Sequence, residues 1–245
     1  MDLKIYAVEA EVEAQHWWFI GRRKLFSVML KSLDLKADCK ILDVGTSTGT
    51  NIRMLEDLKF DDVVGLDLSE SAIEYCASKG FNNVQQGDVL DIPFEDESFD
   101  LVLATDIIEH VDDDEKAMSE LKRILRPGGI LLITVPAFML LWGKNDEEGH
   151  HKRRYLAREV KSLASIMKLD ILTGFYFNFI LFLPILMVRF LLKRIKNSSK
   201  SENEINSPLI NSILTFVFKI DVFLSRFIHP PFGVSYLMLC KKPID

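Results

Sequence analysis

Lys40-Ile41-Leu42-Asp43-Val44-Gly45-Thr46-Ser47-Thr48-Gly49-Thr50-Asn51-Ile52-Arg53-Met54-Leu55 begins as a short apolar run, turns on two glycines and continues with apolar residues at helical spacing. Ile41, Leu42 and Val44 suit a buried strand. Gly45 and Gly49 bracket a turn of small residues, after which Ile52, Leu55 and Leu58 share one helix face. Strand, glycine turn and helix is how an α/β sheet builds a nucleotide site at the carboxyl end of its first strand. Glycines at such a turn predict a backbone that approaches its ligand more closely than a Cβ allows.

Downstream, Asp62–Leu66 reads as a second strand ending in Gly65-Leu66-Asp67, an acid placed for ribose hydroxyls. Ser71 and Glu74 have capping-box spacing for the next helix, and Gly80 closes it. Asn83–Gln86 is a third strand, followed by Gly87-Asp88-Val89. Phe99–Ala104 is a fourth, with Thr105-Asp106 at its carboxyl end and Glu109-His110 just beyond. The three aspartates 112–114 favour a helix N-terminus. That helix carries Met118, Leu121 and Leu125, and Arg126-Pro127-Gly128-Gly129 is expected to stop it before a fifth strand, Ile130–Val135. Continuous apolar strands in the order β-α-β-α-β-β-α-β predict a parallel sheet covered on both faces. Pro136–Gly149 is a long connection, and His150-His151-Lys152-Arg153-Arg154-Tyr155 is a cationic cluster in an acidic chain. A helix with Leu156, Val160, Leu163 and Met167 on one face, a sixth strand at Leu169–Phe177 and a last strand at Gly233–Lys241 complete the pattern.

The bulk properties narrow the partners. A chain of 245 residues with 48% hydrophobic and 27% charged residues is a folded protein. Its net charge of -6 argues against nucleic acid, which selects a basic field. Cys39, Cys76 and Cys240 have no metal-ligand spacing and read as reduced thiols of a cytosolic protein. The acidic, mixed Met1–Glu13 is not the pattern of a signal peptide.

Two flanking regions stay ambiguous. Tyr6–Leu33 reads as one or two helices containing His16-Trp17-Trp18-Phe19 and Gly21-Arg22-Arg23. It is either a helix docked on the sheet or a lid whose aromatics exclude water and whose arginines meet an anion. Phe179–Lys196 is apolar but is broken by Pro184 and Arg189, short of the ~20 apolar residues of a membrane span. Two helices between strands six and seven fit better, joined by the polar linker Asn197–Ser207, with Ser207-Pro208 starting the second. This insertion is read as a helical cover or dimer interface, or as an interfacial surface with Arg189, Lys193, Arg194 and Lys196 toward anionic headgroups.

Ile41–Gly49 resembles the first motif of class I S-adenosylmethionine (SAM)-dependent methyltransferases, in their small-molecule, type 11-like branch. Gly65-Leu66-Asp67-Leu68-Ser69, Gly87-Asp88-Val89, Phe99-Asp100-Leu101-Val102 and Leu121 through Gly129 follow in that family's order, over about residues 38–136. His16–Arg23 and Gly149–Tyr155 resemble a microbial subgroup linked to lipid or surface-glycan synthesis. The resemblance implies a Rossmann-like, doubly wound, seven-stranded sheet, mostly parallel with an antiparallel last strand. It also implies a single domain: an N-terminal helical cap (1–36), a core (37–178 and 233–242) and an apolar insertion (179–232). It implies SAM as cofactor and S-adenosylhomocysteine as product. Asp43, Gly45, Thr46 and Gly49 would then hold the methionine part. Asp67 would take the ribose and Leu68 would lie against adenine. Asp88 and Val89 would meet the adenine edge, and Thr105 and Asp106 would line the pocket near the sulfonium. Ser47 departs from the family, which has glycine there; serine fits if its φ is negative or the turn is slightly opened.

The acceptor side is less defined. His110 either caps the segment after strand four or faces the acceptor. His150 or His151 would be a general base, and Trp17, Trp18, Arg22, Arg153 and Tyr155 would line an acceptor site with Arg153 and Arg154 meeting an anionic group; the alternative is a basic surface loop. The adjacent histidines, with no third ligand at suitable spacing, predict no metal site. The expected partners are a small-molecule or lipid-linked acceptor, a second copy of the chain, and a membrane touched peripherally through 179–229, on the cytoplasmic side. Two other readings are a nicotinamide-dependent oxidoreductase, whose G-x-G-x-x-G pattern Ser47 and Thr50 break, and a non-catalytic membrane-associated relative that keeps the fold.

Overall fold

β1 (Lys40–Val44), β2 (Asp62–Asp67), β3 (Val84–Gln86), β4 (Phe99–Thr105), β5 (Leu125–Pro136), β6 (Asp170–Phe177) and β7 (Ser235–Lys241) form one seven-stranded sheet in the order β3-β2-β1-β4-β5-β7-β6. The structure is a computed structural model and describes residues 10–194 and 207–244. The first five strands pair in parallel, and β7 inserts antiparallel between β5 and β6. The chain runs outward to β3 on one side of β1 and to β4 on the other, so the direction of winding reverses between β1 and β4. An open α/β sheet has its crevice at that reversal, outside the carboxyl ends of the strands.

Alternation along each strand divides the core in two. Leu42, Val44, Val102, Ala104, Leu131 and Ile133 face α4 (Asp114–Ile124) and α6 (Ala157–Ile166). Ile41, Leu101, Leu103, Ile130 and Leu132 face α1 (Trp17–Lys31), α2 (Thr50–Asp57) and α8 (Pro208–Leu224). Both faces are dry, which is why these strands read as unbroken apolar runs.

Several boundaries differ from the sequence expectation. α3 (Glu70–Ser78) takes Ser69 rather than Ser71 as its N-cap residue, so the Ser71/Glu74 pair lies inside the helix. Gly80 follows at φ +89, the left-handed conformation that ends a helix. Arg126–Gly129 does not lie between α4 and its strand. The helix ends at Ile124 and β5 begins at once, with Gly128 at φ +80 and hydrogen-bonded to Lys242. The connection after β5 contains a short helix, α5 (Lys144–Glu148). Two helices, α7 (Phe182–Arg194) and α8, stand between β6 and β7 as expected, with Ser207 and Pro208 at the start of α8. Residues 197–206 of the expected linker lie outside the described residues, as do 195–196, 1–9 and 245.

Arg189 is a correction. It was expected to point at headgroups, yet it is 8% exposed and turns inward, donating to the Leu141 carbonyl and lying 3.7 Å from Asp146. The side chains of Lys193, Arg194 and Lys196 lie outside the described residues.

Candidate functional site

The carboxyl ends of β1, β4 and β5 change from apolar to polar on the face covered by α1. Asp43, Thr105 and Thr134 continue the rows that begin with Ile41, Leu101 and Ile130, and all three are buried. Asn51 of α2 ties two of them together, donating to Asp43 Oδ1 at 2.9 Å and to Thr105 Oγ1 at 3.1 Å. Asp43 Oδ2 is buried without a hydrogen-bond partner. Burial pushes the Asp43 carboxyl up to about 7, against the pull of its bonds with Asn51 and Thr46.

Both glycines of the turn are left-handed, Gly45 at φ +71 and Gly49 at φ +85. A Cβ on Gly45 would fall 1.8 Å from the Ile107 side chain, and one on Gly49 2.6 Å from Phe81. Glycine is therefore already required there by backbone conformation and the protein's own packing, before any ligand is considered. Ser47 does not have the negative φ that was one alternative offered for it: its φ is +51. Its N–H donates to Asp67 Oδ2 at 2.8 Å, which gives the left-handed serine a local compensation. Asp67 also accepts from Ser69 N–H at 2.9 Å and is 6% exposed, so it is no solvated loop acid. Asp88 accepts from Leu90 N–H at 2.9 Å and braces its own turn. Val89 is buried, whereas Leu68 is 65% exposed on the rim.

The N-terminal segment closes over this turn. Glu13 is buried, accepts from Thr48 Oγ1 and pairs with Lys79, while Lys79 also donates to the Thr48 carbonyl at 2.8 Å. Arg22 of α1 reaches Asp106 Oδ2 at 3.0 Å, and Thr134 Oγ1 holds the other Asp106 oxygen at 3.1 Å. Trp18 stacks on Phe177 and lies near Phe218, and Trp17 also touches Phe218. The tryptophans thus anchor α1 on the core, and Arg22 meets a carboxylate of its own chain. Glu13 carried no signal in sequence; its role depends on contacts 35 and 66 residues away.

The other cluster lies in the segment after β4. Glu109 is fully buried with both carboxylate oxygens unpartnered. Burial first, and then the Asp106 charge, drive its carboxyl well above the usual range. The His110 and His151 rings meet edge-on with centroids 4.6 Å apart. Burial and the neighbouring His151 hold His110 down to about 4, so it is neutral at physiological pH. His151 Nδ1 lies 2.9 Å from Asp146 Oδ1, an atom that Arg154 Nε also reaches at 2.7 Å. Burial would raise Asp146, but the bonds from His151 and Arg154 bring it down to about 2.

Arg153 and Tyr155 are engaged by partners within the chain. Arg153 pairs with Asp114 at 3.1 Å and donates to the Val111 and Asp112 carbonyls. Tyr155 donates to Asp114 Oδ2 at 2.8 Å. Together they pin the segment after β4 to α4. His150 is exposed, at φ +55. The expectation of no metal site needs correction in its premise: Glu109 comes from another segment and brings potential ligand atoms of Glu109, His110 and His151 within 4.8 Å of one another.

Residues 42–133 match the family model described as "Methyltransferase domain". Phosphoethanolamine N-methyltransferase 2 of Caenorhabditis elegans is 34% identical over 175 residues, spanning 63% of this chain and 39% of that protein. Demethylmenaquinone methyltransferase of Staphylococcus carnosus (strain TM300) is 33% identical over 122 residues, 45% of this chain and 51% of that protein. A SAM-dependent methyltransferase structure from Thermotoga maritima matches with a TM-score of 0.59 at 20% identity, covering 97% of this chain and 99% of that one, a likeness of fold alone. The chain spans about half or less of the length of these two curated relatives.

Proposed function

We propose that this chain is a class I SAM-dependent methyltransferase, as its match to the methyltransferase-domain model over residues 42–133 favours, and that it transfers the SAM methyl group to a lipid-linked or similarly apolar acceptor by in-line displacement. The observation that carries the reading is the unpartnered, buried Asp43 Oδ2 beside the left-handed Gly45–Gly49 turn. A buried acid with an open oxygen at a strand terminus suits an ammonium group, so the residues fit the cofactor. Asp43 and the turn backbone would hold the methionine end, Asp67 the ribose, and Leu68, Asp88 and Val89 the adenine. SAM supplies a methyl group on a sulfonium, whose leaving group is already good. The chain's task is then alignment and exclusion of water. Glu13 and α1 cover the turn, Arg22 fixes Asp106, and Thr105 is oriented by Asn51.

An apolar acceptor is favoured by the outer face of α8. Leu209, Ile213, Phe216, Ile220, Phe223 and Phe227 fall at helical spacing and are all exposed. Among the described residues no helix is long and apolar enough to cross a membrane, and a stripe of this kind suits the plane of a lipid surface. The family match favours neither the nicotinamide-dependent nor the non-catalytic reading.

Calorimetric titration with SAM and S-adenosylhomocysteine tests the cofactor. One site per chain is expected, and absence of binding by well-folded protein overturns the proposal. Incubating lipid and metabolite extracts with methyl-labelled SAM, followed by mass spectrometry, is expected to place the label in the lipid fraction.

A further inference from the structure

Glu109, His110 and His151 offer one carboxylate and two imidazoles whose ligand atoms all lie within 4.8 Å of one another. One histidine has a ring nitrogen already oriented by a neighbour: Asp146 holds Nδ1 of His151 at 2.9 Å, and the His110 ring packs edge-on against that of His151. Outer partners of this kind fix the ring and leave the second nitrogen for an ion. Asp146 is itself fixed, by Arg154 at 2.7 Å and by the Gly143 N–H at 2.8 Å. Glu109 supplies an independent sign. Both of its oxygens are fully buried and accept no hydrogen bond, and such a carboxylate is costly unless a cation or proton meets it.

We propose that Glu109, His110 and His151 form a binding site for a divalent first-row transition ion of the Zn2+ type. Imidazole and carboxylate donors suit such ions better than Mg2+ or Ca2+, which prefer oxygen alone. Three protein ligands leave a tetrahedral ion one position for water or an acceptor oxygen. The ion site stands on these residues alone; its fourth position as an acceptor subsite rests on the methyl-transfer reading, since Glu109 and His110 lie in the segment that follows Thr105 and Asp106.

The test titrates the metal-stripped full-length chain with Co2+, read by its ligand-field absorption, and with Zn2+ in competition. One ion per chain is expected, with the intense bands of four-coordinate Co2+. Glu109→Gln and His151→Ala are each expected to weaken binding at least 100-fold, Asp146→Asn by about 10- to 100-fold, and His150→Ala not at all. Absence of binding, or undiminished binding in both ligand variants with circular dichroism intact, overturns the site. Should the variants fail to fold, X-ray absorption of the Zn2+-loaded wild type decides: two imidazoles and a carboxylate support the triad, and any other ligand set overturns it. SAM titration of the same protein separates the two proposals: Co2+ binding without SAM binding leaves the ion site and removes the methyl-transfer reading.

Discussion

Asp43 sits at a point where folding and ligand binding ask for opposite things. Its carboxyl is fully buried and raised to about 7. A carboxyl whose folded pKa exceeds its unfolded value binds its proton more tightly in the folded state, so its contribution is present at acid pH and is lost as pH rises from about 4 to about 7. Three pK units correspond to about 4 kcal/mol of lost stability above pH 7. Asp43→Asn keeps an acceptor for the Asn51 amide and removes the ionising group. Urea denaturation is expected to show the wild type losing about 2–3 kcal/mol more stability between pH 5 and pH 8 than the variant. SAM affinity moves the other way. The ionised acid would pair with the ammonium, so calorimetry at pH 8 is expected to show at least tenfold weaker binding in Asp43→Asn. Equal pH dependence in the two proteins would show that Asp43 is not titrating across this range.

At the scale of elements, the docking of α1 on α8 is set by one glycine. A Cβ on Gly21 would lie 2.0 Å from the Phe218 ring, and that ring is fully buried against Trp18 and Phe177. Gly21→Ala gains helix propensity of about 1 kcal/mol but overpacks the interface by about 1–3 kcal/mol. The expected net effect is a melting temperature several degrees lower. Adding Phe218→Ala opens the space that the methyl group needs, so the double variant is expected to be less destabilised than the sum of the singles; additivity would place the strain elsewhere. Contacts of this kind mark what could not be read from sequence. Local patterns gave β1 to the residue and α8's start at Ser207-Pro208, because alternation, helical spacing and caps are properties of neighbours. Glu13 on Thr48, Arg22 on Asp106, and Asp221 accepting from the N–H groups of Asn178 and Ile180 join segments that only the fold brings together. Glu109, His110 and His151 meet for the same reason. The residues expected to hold the cofactor could be named from sequence because they sit in short motifs shared with a known family. Those expected to meet the acceptor could not be grouped, because they come from α1, the segment after β4 and the connection after β5.

On the scale of the whole molecule, α8 carries apolar residues on both its inner and its outer face. Its inner face carries Asp221, fully buried, beside Phe218 and Val222, while Leu209, Ile213, Phe216, Ile220, Phe223 and Phe227 face outward. α7 adds Leu183 and Met187, and the segment before β7 adds Ile228 and Phe232. Lys219 on α8 and Arg226 in the turn after it are exposed. An exposed apolar stripe of the length found on α8 marks a partner rather than solvent. A lipid surface, as proposed here, would draw on apolar burial of about 1.5–3 kcal/mol for each large side chain that inserts fully. The net charge of -6 disfavours anionic lipid at long range, so adsorption driven by this stripe is expected to be nearly insensitive to salt. Vesicle flotation with phosphatidylethanolamine and phosphatidylglycerol at low and at physiological ionic strength is the measurement. The wild type is expected to float in both conditions, and the double variant Phe216→Glu/Phe223→Glu to stay with the soluble fraction. Because Phe216 and Phe223 are 65% and 57% exposed, the variant is expected to melt within a degree or two of the wild type. Equal flotation of the two proteins would remove α8 as the lipid contact. A wild type that stays soluble but sediments as a dimer dissociated by the same substitutions would assign the stripe to a second copy of the chain.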